Sequence, residues 1–203
     1  MVMGFIGCQG SKETVVCPPS TELDGQGPPI GRRVVCVDRS KTTGTRRAFR
    51  QGPEVRWFAG GALRSKQTFV DDQLQGESVS WFANGKMSKK GHYQKGHKTG
   101  VWSEWGTDGT LQSETTYSQG LMDGPRRFFY TDGQLKSEHH YRIGIIHGPS
   151  KGFYPDGVIQ YSGRYGDNVR QGVWLRYDMS GELQKAERFV DGKPKPRSSV
   201  DEP

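Results

Sequence analysis

The sequence predicts an all-β fold, an elongated antiparallel β-meander of six 24-residue hairpin repeats. Three observations carry this. Glycine recurs at one fixed period, aromatic residues recur between the glycines, and Asn-Gly or Asp-Gly dipeptides mark the middle of most units. The composition agrees. Only 32% of the 203 residues are hydrophobic, yet 11% are aromatic and 29 are glycine. A thick two-sided enzyme core needs more apolar residues, whereas a disordered chain carries fewer aromatics. No stretch approaches the roughly 20 apolar residues that span a bilayer as a helix.

The first glycine series is Gly52, Gly76, Gly100, Gly124, Gly148 and Gly172, and the second is Gly61, Gly85, Gly109, Gly133, Gly157 and Gly181. Between them runs an aromatic series, Trp57, Trp81, Trp105, Phe129, Phe153 and Tyr177. After each second glycine comes an aliphatic residue (Leu63, Met87, Leu111, Leu135, Ile159, Leu183) and then an aromatic one (Phe69, Tyr93, Tyr117, Tyr141, Tyr165, Phe189). Asn84-Gly85, Asp108-Gly109, Asp132-Gly133 and Asp156-Gly157 are strong signals for tight hairpin turns, because these residues take positive φ at low cost. Side chains alternate along a strand, so positions 63 and 69 are expected to share one apolar face with the spine at 57. The face at 64, 66 and 68 is expected to be wet.

Short second connections near positions 70–76 join hairpin to hairpin, giving about twelve strands. Stacked units bury what one unit alone cannot. The expected organisation is a signal remnant and flexible linker over 1–27, a degenerate N-terminal cap over 28–51, six repeats over 52–192, and a disordered tail over 193–203. Lys193-Pro194-Lys195-Pro196 is expected to stop strand pairing, because proline cannot continue a ladder.

The net charge is +7, concentrated between Arg32 and Arg56, where eight basic residues face two acidic ones. Such a window suits a solvated strand surface, or contact with an anionic lipid or polymer. Nucleic acid is not the expected partner.

The repeat resembles the variant MORN repeat found in the YwqK-type antitoxin family. The fullest copy runs from Gly100-Val101-Trp102-Ser103-Glu104-Trp105 through Asp108-Gly109-Thr110-Leu111 to Tyr117, Gly120 and Gly124. The resemblance spans residues 52–192. It implies the hairpin-repeat fold and an interaction module, with an antitoxin role attached to part of that family.

Phe5-Ile6-Gly7-Cys8 resembles the lipobox of bacterial lipoproteins, which makes Cys8 the lipidation candidate. Seven residues precede Cys8 and none is basic, so the expected reading is an incomplete signal peptide whose start lies upstream of Met1. Lipidation of Cys8 would leave Cys17 and Cys36 as a disulfide candidate in an oxidising compartment.

No HExxH, CxxC or GxSxG motif is present. Gly91–Thr99 misses the phosphate-loop spacing by one residue. His92 and His140 share a phase but stand two repeats apart, roughly 19 Å by strand spacing. No catalytic, cofactor-binding or metal-ligating residue is therefore expected, and no cofactor. Trp102 and Trp174 fall one residue out of step with Val101 and Val173, on the other face from Trp105 and Tyr177, where other copies carry Glu54, Ser78, Arg126 and Ser150. They are the candidate partner contacts. The expected function is a non-enzymatic protein-interaction or scaffold module of a bacterial envelope. The alternatives are a cytosolic antitoxin-like protein that sequesters a toxin, and an envelope module for anionic lipid or cell-wall polymer.

Overall fold

The structure is a computed structural model that describes residues 14–28, 31–42 and 48–195. Its sixteen strands are β1 (Glu22–Gln26), β2 (Arg33–Thr42), β3 (Ala48–Trp57), β4 (Leu63–Val70), β5 (Gln73–Leu74), β6 (Gly76–Trp81), β7 (Met87–Gln94), β8 (His97–Trp105), β9 (Leu111–Ser118), β10 (Leu121–Phe129), β11 (Leu135–Arg142), β12 (Ile145–Phe153), β13 (Ile159–Gly166), β14 (Val169–Tyr177), β15 (Leu183–Val190) and β16 (Lys193–Lys195). They form one antiparallel sheet in chain order, with β5 set beside β4 off the main path. The fold is the all-β hairpin meander expected from the repeat, and there is no helix among the described residues.

Four strands lie outside the twelve that the repeats supply. β1 pairs with β2 from Glu22↔Val37 to Gln26↔Arg33, so the end of the segment read as a linker is part of the sheet. β16 pairs with β15 and sets Pro194 opposite Phe189. The ladder therefore runs one short strand further than Pro194 suggested, because an edge strand tolerates a residue that lacks an N–H.

The two turn series exchange their expected geometries. At the Asp-Gly tips only glycine has positive φ; Asp132 and Asp156 do not. The Gly133 N–H donates to the Tyr130 carbonyl (3.0 Å), and the Tyr130 N–H to the Gln134 carbonyl (2.8 Å). This is a longer loop closed by a left-handed glycine. Its aspartate accepts a hydrogen bond from the backbone two residues on, as Asp132 does from Gln134 at 2.9 Å. The two-residue turns lie at the other end of the strands. Lys95-Gly96, Gln119-Gly120, Ile143-Gly144 and Asp191-Gly192 each have positive φ at both residues, as type I′ requires.

Strand register also corrects the expected faces. Arg56 pairs with Ser65 and Trp57 with Leu63, so a bulge falls at position 64. Directly opposed residues share a face. Leu63 therefore joins Trp57, on the opposite side of the sheet from Phe69.

The described residues divide into two compact units, those up to Thr99 with Trp105–Gly109, and Gly100–Glu104 with those from Thr110 onward. In the first unit, Val34, Val55 and Trp57 form a buried cluster, with Val15, Leu23 and Leu63 packed on it. Cys17 and Cys36 are disulfide-bonded with Cα atoms 5.5 Å apart, which ties the segment before β1 to β2. The other face of this unit buries Glu54 completely. Its carboxylate accepts hydrogen bonds from Arg33 (2.6 Å), Arg56 (2.8 Å) and Gln67 (2.9 Å). Burial pushes its pKa up, but these donors outweigh burial and hold it below 4.5. A buried carboxylate without them would be strongly destabilising.

Candidate functional site

In the second unit the centre of one sheet face is built on tryptophan. Trp102 and Trp174 are both only 6% exposed. They are core residues, which corrects their reading as surface anchors. Trp174 stacks on Tyr161 with ring centres 6.1 Å apart, and meets Tyr165 and Phe189 edge-on at 5.0 and 6.5 Å. Its indole N–H donates to the Arg164 carbonyl at 3.1 Å. Gly163 makes room for it, because a Cβ there would overlap Cδ2 and Cε2 of the indole. Trp102 meets Tyr117 edge-on at 6.4 Å. Other members of the same phase are buried too: Glu54, Ser78 and Ser150 are at most 8% exposed. Glu54 and Ser150 are hydrogen-bonded there, so polarity at this phase is not a mark of exposure.

Ser150 and His139 stand opposite each other on β12 and β11, with Ser150 Oγ and His139 Nδ1 2.8 Å apart. The pair has the composition of a nucleophile and its base. Ser150 is only 1% exposed, however, so a substrate atom cannot reach its hydroxyl. Burial first, then the Arg126 guanidinium, push the His139 pKa below 6.5, while Glu138 opposes them. The fold thus favours the neutral form of His139, and unfolding raises its proton affinity. Its contribution to stability is complete above pH 6.5 and is lost as pH falls through the folded-state value. Urea titrations of wild type and His139→Gln should converge as the pH is lowered from 7, the wild type losing more stability than the variant.

A cleft of about 540 Å³ opens beside the Trp174 cluster. Three cross-strand rows shape it. Arg176 lies between Tyr161 and Lys185, Trp174 faces Glu187, and Tyr165 faces Arg170. Tyr154 and Gln160 complete the polar lining. The Arg170 guanidinium lies 4.5 Å over the Trp174 ring and 5.3 Å from that of Phe189. Lys185 and Glu187 form an ion pair at 2.9 Å. Desolvation first, and then the neighbouring Tyr165, raise the Tyr161 pKa above 10. No sequence motif marks this cleft, because its members come from β13, β14, β15 and the turn that holds Tyr154 and belong to no local pattern.

A second feature is a set of exposed aliphatic residues at or beside the two-residue turns of this unit. Leu121, Ile143, Ile145 and Val169 are 49%, 65%, 40% and 39% exposed. Ile143 has φ = 51°, a conformation that other copies give to Asp71, Lys95, Gln119, Asp167 and Asp191.

Four of the eight basic residues of the N-terminal window are ion-paired among the described residues. Arg33 and Arg56 share Glu54, Arg50 pairs with Asp72 at 2.6 Å, and Arg39 pairs with Glu22 and Asp24. Cys8 lies outside the described residues.

Fold and surface together define a β-hairpin repeat protein. Residues 74–95, 98–119, 122–142 and 146–167 each match the MORN repeat variant family. No curated protein matches the chain. Among solved structures, the chain resembles one in the GtfA/B complex bound to UDP and GlcNAc, at 12% identity and a TM-score of 0.25. That similarity covers 81% of this chain and 30% of the other.

Proposed function

We propose that the chain is a non-enzymatic interaction module that docks a protein partner on its aliphatic turn residues. Ile143 is the observation that carries this reading. A β-branched residue at positive φ is an outlier, and left-handed backbone costs an L-residue about 1–2 kcal/mol. Ile143 also leaves its side chain in water, so neither the backbone nor the core of this chain accounts for it. Contact with a partner does, and Leu121, Ile145 and Val169 extend the same aliphatic surface. Ile143→Asn should relieve the backbone and raise Tm by about 2–4 °C. The same variant should lose, in quantitative pull-down with mass spectrometry, a partner that the wild type retains. A lower Tm or unchanged capture would count against the proposal.

We further propose an oxidising compartment, the bacterial envelope, with lipid on Cys8 as the tether. The Cys17–Cys36 bond supports this over a cytosolic antitoxin-like role, because disulfides persist mainly outside reducing compartments. Mass spectrometry of non-reduced protein from its native cells tests it, since two free thiols would remove the support.

A further inference from the structure

We propose that the cleft beside Trp174 is a binding site for an acidic saccharide, a sugar carrying a carboxylate or a phosphate. Its volume, about 540 Å³, suits one or two sugar rings and lies in the usual range of small-molecule pockets. Three kinds of group line it, and each answers a different part of such a ligand.

The cations come first. Arg170, Arg176 and Lys185 reach the cleft from two adjacent strands. Lys185 is paired with Glu187, but neither guanidinium is in an ion pair among the described residues. The planar fork of a guanidinium matches a carboxylate or phosphate, and the charge-assisted bonds it makes are among the stronger ones. Arg170 is held in place by the Trp174 and Phe189 rings, so part of its ordering cost is met before a ligand arrives.

The rings come second. Tyr161 is packed on Trp174 and crosses Gly152, where a Cβ would meet the Tyr161 ring. That glycine fixes the ring. An aromatic face is electronegative and attracts the slightly positive C–H groups of a sugar.

The hydroxyl partners come third. Gln160 and Glu187 offer acceptors, and Gln160 and the tyrosines offer donors. A simple anion site has no use for acceptors, and a carboxylate such as Glu187 would weaken it. A polyhydroxylated ligand uses donors and acceptors together. An acidic peptide would use the cations but brings no array of hydroxyls to Gln160 and Glu187.

Isothermal titration of the full chain tests this with glucuronate, glucose 6-phosphate, glucose, inorganic phosphate and triglutamate. Glucuronate or glucose 6-phosphate should bind at least tenfold more tightly than glucose or phosphate. Arg176→Gln and Lys185→Gln both alter exposed side chains and should leave Tm unchanged while weakening that binding at least tenfold. An oligosaccharide ending in glucuronate separates a polymer terminus from a free sugar acid as the source, and preference for either supports the site. Phosphate binding as tightly as glucose 6-phosphate, a preference for triglutamate, or no saturable binding of either acidic sugar would overturn it.

Discussion

Replacing Trp174 with serine is expected to destabilise the second unit by about 3–5 kcal/mol, the usual cost of removing a large buried aromatic. The side chain is 6% exposed and touches Tyr161, Tyr165 and Phe189. Its loss leaves a cavity among three rings, takes away the surface on which Arg170 rests, and strips the Arg164 carbonyl of its indole donor. Serine occupies the same phase at Ser78 and Ser150, so the backbone accepts it. The loss arises from neighbours already shaped for an indole. Urea denaturation followed by tyrosine and tryptophan fluorescence measures it, and a loss under about 1 kcal/mol would return Trp174 to the surface.

The repeat, the strands and the turn positions were legible because a demand for positive φ is local and selects glycine wherever it recurs. Gly61, Gly85, Gly109, Gly133, Gly157 and Gly181 all have positive φ, as their phase requires. The faces were not legible. One extra residue at position 64 carries Leu63 across the sheet, and simple alternation has no means of detecting a bulge. The burial of Glu54 is likewise non-local, since its three donors come from β2, β3 and β4. Counting charge along the chain gave a basic window. Pairing across strands sets four of its eight basic residues against Glu22, Asp24, Glu54 and Asp72.

One signal of the buried tryptophans was present in the sequence. Position 67 of the first repeat recurs as Gly91, Thr115, His139, Gly163 and Glu187. Glycine stands there in two copies only, and the position eleven residues later is then Trp102 or Trp174. Where the later residue is Ser78, Arg126 or Ser150, the earlier one is Gln67, Thr115 or His139. Large follows small and small follows large, as expected for two side chains that share one volume on a packed sheet face.

Gly163→Ala is therefore expected to be costly in a position where φ gives no reason for glycine. The new Cβ would overlap the indole of Trp174 and lie 2.7 Å from its Cγ. The indole cannot swing aside, because Tyr161, Tyr165 and Phe189 hold its other sides and its N–H is engaged. Overpacking of this kind costs about 1–3 kcal/mol, and the rigidity of the cluster argues for the upper end. The decisive measurement is a double-mutant cycle. Once Trp174→Ser has removed the indole, a side chain at 163 has space to fill. Gly163→Gln with Trp174→Ser reproduces the pair Gln67 and Ser78 that the first unit already uses. The double variant should be more stable than Trp174→Ser alone, although Gly163→Gln alone should be worse than wild type. Residues that share one volume couple by about 0.5–3 kcal/mol. Additive losses would mean that positions 163 and 174 do not share space, and that the alternation of glycine and tryptophan along the repeats has another cause.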